Sequence, residues 1–393
     1  MTKIEQKVEE IKNELIAIRR DLHRHPEIGF EEYYTADKVA NYLKDCGYEV
    51  TTGVGGTGVI GVMYGANEGP TFALRACLDA LEVPEQTGID YASEIPGRMH
   101  ACGHDGNMTV TLGAAKILMQ YKDVLNGNIK VIFQPSEENT GGAAKIVEAG
   151  GLKNPDVDAI ITPHVWHGIP KGKICLKAGS VMASSDLFKL EVHGVAGHGA
   201  WPHLAVDPLP IAAELILSLQ KVISREIDPM IPACLSIGKL EYGTAANIVS
   251  ETVTMFGTVR TLDSTARSFI QNRIDEIADG VTKAARGSYT LEYNRVMPPL
   301  SNDPELTAMA MDSLTRALGE SGITTDYDIS MGCEEFSVYQ DYVPGLFMFI
   351  GSSEADKPVI EIHNPKFLFP EDCLPIGVRA LCEIALNYLN TEY

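Results

Sequence analysis

The sequence predicts an α/β protein in which a larger, discontinuous domain is interrupted by a smaller one. Three observations carry that prediction. Short apolar strands alternate with helices up to residue 183 and again after residue 297, the pattern of an α/β domain. Between them the order is β-α-β-β-α-β, the split βαβ or ferredoxin-like unit. The 393 residues also exceed what a single core usually organises, so two domains are the default.

Residues 4–22 place Ile4, Val8, Ile11, Leu15, Ile18 and Leu22 at spacings of three and four, an amphipathic helix. It stops before His25-Pro26, because the residue ahead of a proline avoids helical dihedrals. His23 and His25 fall at its end, where they suit either the helix dipole or the rim of a site. Residues 59–64 and 72–78 read as strands, 108–121 as a helix, and 129–133 and 159–162 as strands. In the interruption, 187–193 is a strand, 208–227 a helix, 235–241 and 253–261 strands, 264–285 a helix and 289–295 a strand. After Met297-Pro298-Pro299 come a helix at 304–319, a strand at 346–350 and a helix at 374–390. The expected domains are therefore 1–183 with 297–393, and 184–296 inserted between them.

Composition excludes some partners. With 53 acidic against 32 basic residues the net charge is −21, which disfavours nucleic acid and anionic membranes. No apolar run reaches the length of a membrane span. The start, Met1-Thr2-Lys3-Ile4-Glu5, is charged and lacks a signal-peptide core. The eight scattered cysteines then read as reduced thiols, and the expected location is the cytoplasm.

Cys102 stands apart because of its neighbours, in Met99-His100-Ala101-Cys102-Gly103-His104-Asp105. Cys102 and His104 are two apart, so in an extended segment they would point to one side and grip one ion. Thiolate with imidazole suits Zn, with Mn, Co or Ni as alternatives. Taken alone the pair is equally a buried thiol beside a helix-capping histidine. Glu137-Glu138 follows a buried strand and precedes Thr140-Gly141-Gly142. Adjacent side chains diverge, so one carboxylate can ligate while the other faces a reacting water. His164 and His363 complete a set of five candidate ligands with Cys102, His104 and Glu138. Five donors exceed one closed tetrahedral site and fit two divalent ions sharing a ligand and a water. Asp79, at a strand end, suits the orientation of a ligand histidine. In the inserted unit, His198 lies among glycines, where a substrate can approach closely. Asn247 and Arg260 offer a polar hydrogen-bonding group and a permanent cation for a substrate carboxylate.

These motifs together resemble the dinuclear-metal aminoacylase/carboxypeptidase superfamily, in its amidohydrolase branch of hippurate hydrolases and auxin–amino-acid conjugate hydrolases. The resemblance runs over nearly the whole chain. It takes in His23-Arg24-His25-Pro26-Glu27, the Met99 to Asp105 stretch, Gln134-Pro135-Ser136-Glu137-Glu138 and His164-Val165-Trp166. It continues through Gly197-His198, Pro202-His203, Gly257-Thr258-Val259-Arg260-Thr261, Met331-Gly332 to Phe336, and His363-Asn364-Pro365. The resemblance implies a metallo-exopeptidase-like catalytic domain with an inserted lid that also dimerises. It implies that Cys102, His104, Glu138, His164 and His363 hold two divalent ions. Glu137 would be the general base and then the acid, and His198 the lid histidine that steadies the oxyanion. Asn247 and Arg260 fall where lid residues contact substrate. Three residues depart from the branch: Cys77 for the usual Asp, Asn107 for His, and Glu82 for Pro.

The expected activity is hydrolysis of the amide of an N-acyl amino acid or small peptide-like conjugate. The rivals are a dipeptidase or carboxypeptidase of the same fold, a non-catalytic small-molecule-binding relative, and a thiol hydrolase with Cys102 as nucleophile and His104 as base.

Overall fold

The computed structural model describes residues 2–391. The chain forms two compact units. The first comprises Met1–Gly179, Ser301–Asp328 and Val338–Tyr393; the second comprises Ser180–Leu300 and Ile329–Ser337. The segment 329–337, which the sequence reading leaves in the larger domain, groups with the second unit. Backbone pairing is the reason: Ala183 N–H donates to the carbonyls of Ser330 and Gly332, and Met182 bridges Ser330.

The first unit opens with helix α1, Lys3–Arg24. Thr2 and Glu5 form a reciprocal capping box at its start. Its buried stripe of Ile4, Val8, Ile11, Leu15 and Leu22 follows the predicted spacing, except that Ile18 is only partly buried and Arg19 is buried beside it. Helix α2, Tyr33–Cys46, is absent from the sequence reading. The Glu27 carboxylate accepts the N–H groups of Tyr34 and Thr35 in its first turn, and Gly47 in a left-handed conformation ends it.

Strands β1 (Glu49–Val54), β2 (Gly58–Tyr64), β3 (Asn67–Cys77), β4 (Asn126–Gln134) and β5 (Ala159–Pro170) follow. Among the described residues the large sheet has eight strands, in the order β1-β2-β4-β3-β5, then Gly345–Ser353, Ile174–Cys175 and Ile323–Thr324. Its centre is parallel: β4 pairs β3, β3 pairs β5, and β5 pairs Gly345–Ser353 in the same direction. Helix α3, His104–Met119, crosses the core and is buried nearly all round, as expected of a helix apolar on every face. It packs with α1 and the helix Leu374–Tyr388. Fully buried side chains there, such as Leu15, Leu118 and Leu381, each stabilise the fold by roughly 1.5–3 kcal/mol. A parallel centre directs the carboxyl ends of β3, β4 and β5 toward one edge, where open α/β sheets place their sites.

The second unit is the expected ferredoxin-like one. Its four strands run in the order Ala233–Glu241, Thr252–Thr261, Ser185–His193, Ser288–Met297, all antiparallel. The helices Pro208–Lys221 and Ser264–Ala284 pack against it through Ile211, Leu215, Ile270 and Ile274. No helix among the described residues is long and apolar enough to cross a membrane.

Candidate metal centre

The stretch 99–105 is not extended, as the sequence reading supposes. Gly103 adopts φ 76°, and the helix α3 begins at His104, four residues earlier than expected. Only glycine fits at this turn, for a Cβ there would lie 2.5 Å from Val165 Cγ1. Cys102 and His104 therefore converge through a tight turn and not through strand pleat.

Behind them stands Asp79, two residues beyond β3. Its carbonyl accepts from His104 Nδ1 at 2.8 Å, and its Oδ1 lies 3.5 Å from the same nitrogen. The Asp79 carbonyl makes the nearer contact to His104 and its carboxylate the more distant one. Its Oδ2 accepts the N–H of Glu138 at 2.8 Å. Burial works against the Asp79 charge, yet His104 and the backbone N–H groups of Glu138 and Glu137 outweigh it and hold the carboxyl below its ordinary value. Burial also disfavours a charged His104, but Asp79 overrides this and lifts it to about 9. His104 Nε2 is buried and makes no hydrogen bond.

His164 lies within β5, not after it, because that strand runs to Pro170. Its Nδ1 faces the Val165 carbonyl at 2.7 Å and its Nε2 lies 3.6 Å from Cys102 Sγ. Asn107, which departs from the related pattern, accepts the Val165 N–H through Oδ1 at 3.0 Å and so braces the strand beside His164. Glu138 Oε1 lies 3.3 Å from His363 Nε2. His363 has φ 66°, is half exposed, and its N–H donates to the Ala101 carbonyl at 2.8 Å.

The donors form overlapping groups, each within 4.8 Å: Cys102, His104 and His164; Cys102, Glu138 and His363; His104, Glu137 and Glu138; and Cys77, Asp79 and His104. All five sequence-predicted ligands and Glu137 come together. A thiol, three imidazoles and carboxylates suit a borderline divalent ion. His104 Nε2, buried with no hydrogen-bond partner, fits that use.

Sequence reasoning missed the support under α3. Asp105 Oδ2 lies 2.8 Å from both Arg19 Nε and His23 Nδ1, and His23 Nε2 lies 3.3 Å from Glu85. His23 is therefore a buried tie between α1 and α3, placed in the last turn of α1. The signal was an ionisable Arg19 on the apolar face of α1, which calls for a buried partner. Glu82 is exposed. Phe336 and Tyr339 are fully buried, whereas Trp201 is 57% exposed.

In the second unit, His198 and Asn247 share a two-stranded ribbon. His198 pairs with Ile248, and the Asn247 carbonyl accepts the Gly199 N–H at 2.9 Å. His198 is exposed and its Nδ1 accepts the Ala200 N–H at 3.1 Å. Arg260 lies at the other end of this unit's sheet strand Thr252–Thr261, opposite Cys234.

Residues 73–387 match the family described as Peptidase family M20/M25/M40. The chain belongs to that family. As an M20 protein it is a hydrolase of amide bonds, which the sequence reading expects. It is 37% identical to the N-acetyl-L-cysteine deacetylase of Bacillus subtilis, over 97% of this chain and 90% of that one. It is 36% identical to the IAA-amino acid hydrolase ILR1-like 4 of Arabidopsis thaliana, over 95% and 86% respectively. Among solved structures, the Bacillus subtilis YXEP protein, described as a dinuclear metal binding peptidase from the M20 family, superposes with a TM-score of 0.85. It is 32% identical, and the match covers 98% of this chain and 100% of that one. The M20 fold, a catalytic domain with an inserted lid, accounts for both units.

Proposed function

We propose that the protein hydrolyses the amide of N-acyl amino acids with the help of two divalent ions, Zn or Mn first, with Co or Ni as alternatives. The observation that carries this reading is the overlap of the donor groups at Cys102, which belongs to one set with His104 and His164 and to another with Glu138 and His363. Cys102 would then serve both sets of ligands. The ions would supply Lewis acidity, making water nucleophilic near neutral pH and polarising the amide carbonyl.

The protein's own residues divide the remaining work. Glu137 is buried but belongs to the donor group of His104 and Glu138. It takes the proton from the attacking water and returns it to the leaving amine, in the role of a general base and then acid. Asp79 and the backbone hold His104 in the tautomer that presents Nε2. His198 donates to the oxyanion of the tetrahedral intermediate, and Asn247 and Arg260 bind the carboxylate of the amino acid. The substrates named for the relatives, N-acetyl-L-cysteine and an IAA-amino acid, support the substrate class. The lid serves homodimer formation, and the exposed Val195, Trp201, Leu204 and Ile248 around His198 support that use. The place of action is the cytoplasm.

The deciding experiment is Glu137→Gln, assayed against N-acetyl and N-benzoyl amino acids with metal content measured in parallel. Two bound ions with turnover lowered by about 10²–10⁴-fold is the expected outcome. Near-normal turnover would remove Glu137 from the reaction. Activity that survives chelation and dies with alkylation would favour the Cys102 thiol hydrolase instead.

A further inference from the structure

We propose that the buried carboxylate of Glu32 is a positioning residue: it fixes the turn that aims Glu137 and Glu138. The inference rests on the reading of Glu137 as the proton-transfer group.

Glu32 is fully buried and stands at the start of α2, yet it does not cap that helix through its side chain. Glu27 does so instead, accepting from Tyr34 and Thr35. The Glu32 carboxylate turns the other way. Its Oε1 accepts the Ser136 N–H at 2.8 Å, and its Oε2 accepts the Thr57 hydroxyl. Ser136 immediately precedes Glu137 and has φ 50°, a left-handed conformation that non-glycine residues avoid. Such a residue persists only where its surroundings over-determine it.

Three contacts from one loop hold the strand exits, two of them on this turn. Glu32 holds the Ser136 N–H. Gly29 presses on the same residue, for a Cβ there would lie 2.4 Å from Ser136 Oγ. The Glu27 carbonyl accepts the Ala80 N–H at 2.7 Å, directly after Asp79. The loop at 27–32 therefore grips both strand exits that feed the site, the one after β3 and the one after β4. Without Glu32 the buried Ser136 N–H loses its acceptor, and the turn must relax to find another. A shift of about 1 Å in Glu137 is enough to cost about 10²-fold in rate.

The test uses the metal-loaded full chain and whichever N-acyl amino acid of the panel it cleaves fastest. Glu32→Ala lowers kcat by about 10–100-fold while KM and metal content stay near wild type. Glu32→Gln restores most of kcat, because its amide oxygen still accepts the Ser136 N–H. Gly29→Ala, which pushes the turn from the other side, also lowers kcat. Asp303→Ala, which uncaps the helix Pro304–Leu318 elsewhere, loses stability but keeps kcat. Wild-type kcat in Glu32→Ala, or a loss that Glu32→Gln fails to restore, would overturn the proposal. If Glu32→Ala does not fold, Gly29→Ala and Glu32→Gln decide: a slow Gly29→Ala beside a near-normal Glu32→Gln supports the brace, and any other pairing overturns it. If Glu137→Gln remains active, the reading of Glu137 fails. If Glu137→Gln is dead while Glu32→Ala and Gly29→Ala turn over normally, only the brace fails.

Discussion

His104 and His198 both follow a glycine, one in a turn and one in a short strand, and the two units treat them in opposite ways. His104 is buried and its Nδ1 meets a carbonyl, that of Asp79. A carbonyl accepts, so Nδ1 keeps its proton and Nε2 is the nitrogen that can release one to bind a cation. His198 is exposed and its Nδ1 meets a backbone N–H, that of Ala200. An N–H donates, so Nδ1 holds the lone pair and Nε2 carries the proton. One backbone contact thus makes the first ring an electron-pair donor, suited to a cation, and the second a hydrogen-bond donor, suited to an oxyanion. Burial differs to match: a ligand gains from fixed geometry, whereas a group that meets substrate must start accessible to it.

The largest effect that would break this comparison is at His104. His104→Ala removes a donor common to several of the groups around the site. Bound metal should fall below two ions per chain, and kcat should fall by about 10³-fold or more, matching several kcal/mol of lost charge stabilisation. Full metal content in that variant, measured by elemental analysis, would show that the orphaned Nε2 is not a ligand.

His198→Ala should lose less. Removing one oxyanion donor costs about 10²–10³ in kcat, and metal content should not change. The contrast sharpens if His198→Gln recovers part of the loss, since an amide N–H also donates. Equal metal loss in both histidine variants would erase the distinction. Arg260→Ala should be milder still and show mainly in KM. The expected rise is about 10-fold for substrates with a free carboxylate and little for their amides; an equal rise for both would remove Arg260 from carboxylate recognition.

Much of the buried half was legible in sequence because its donors sit at fixed offsets from apolar strands. Glu137-Glu138 after β4 could be placed from the strand pattern, which also put His164 beside β5 though not within it. What could not be read was how Cys102 and His104 meet. The pair suggested an extended segment, and only the left-handed Gly103 and the early start of α3 reveal a turn. The bracing residues were less legible still. Glu32 and Glu85 look like solvated carboxylates in sequence, and their burial comes from tertiary neighbours far along the chain, Ser136 and His23. Arg19 was the one clue, a cation on an apolar helix face.

The smallest predicted effect concerns the ties behind the buried half. Burial opposes the charge on Glu85, but His23, the Thr87 hydroxyl and the Ser93 N–H outweigh it and lower its carboxyl from 4.5 to about 2. A depressed carboxyl contributes stability that is present above 4.5 and is lost as the pH falls toward 2, where the folded form takes up its proton. The Tm of the wild type should therefore exceed that of Glu85→Gln at pH 6, and the gap should close as the pH falls from 4.5 to 2. A Tm gap that stays constant across that acid range would mean that Glu85 contributes through shape and not through its charge.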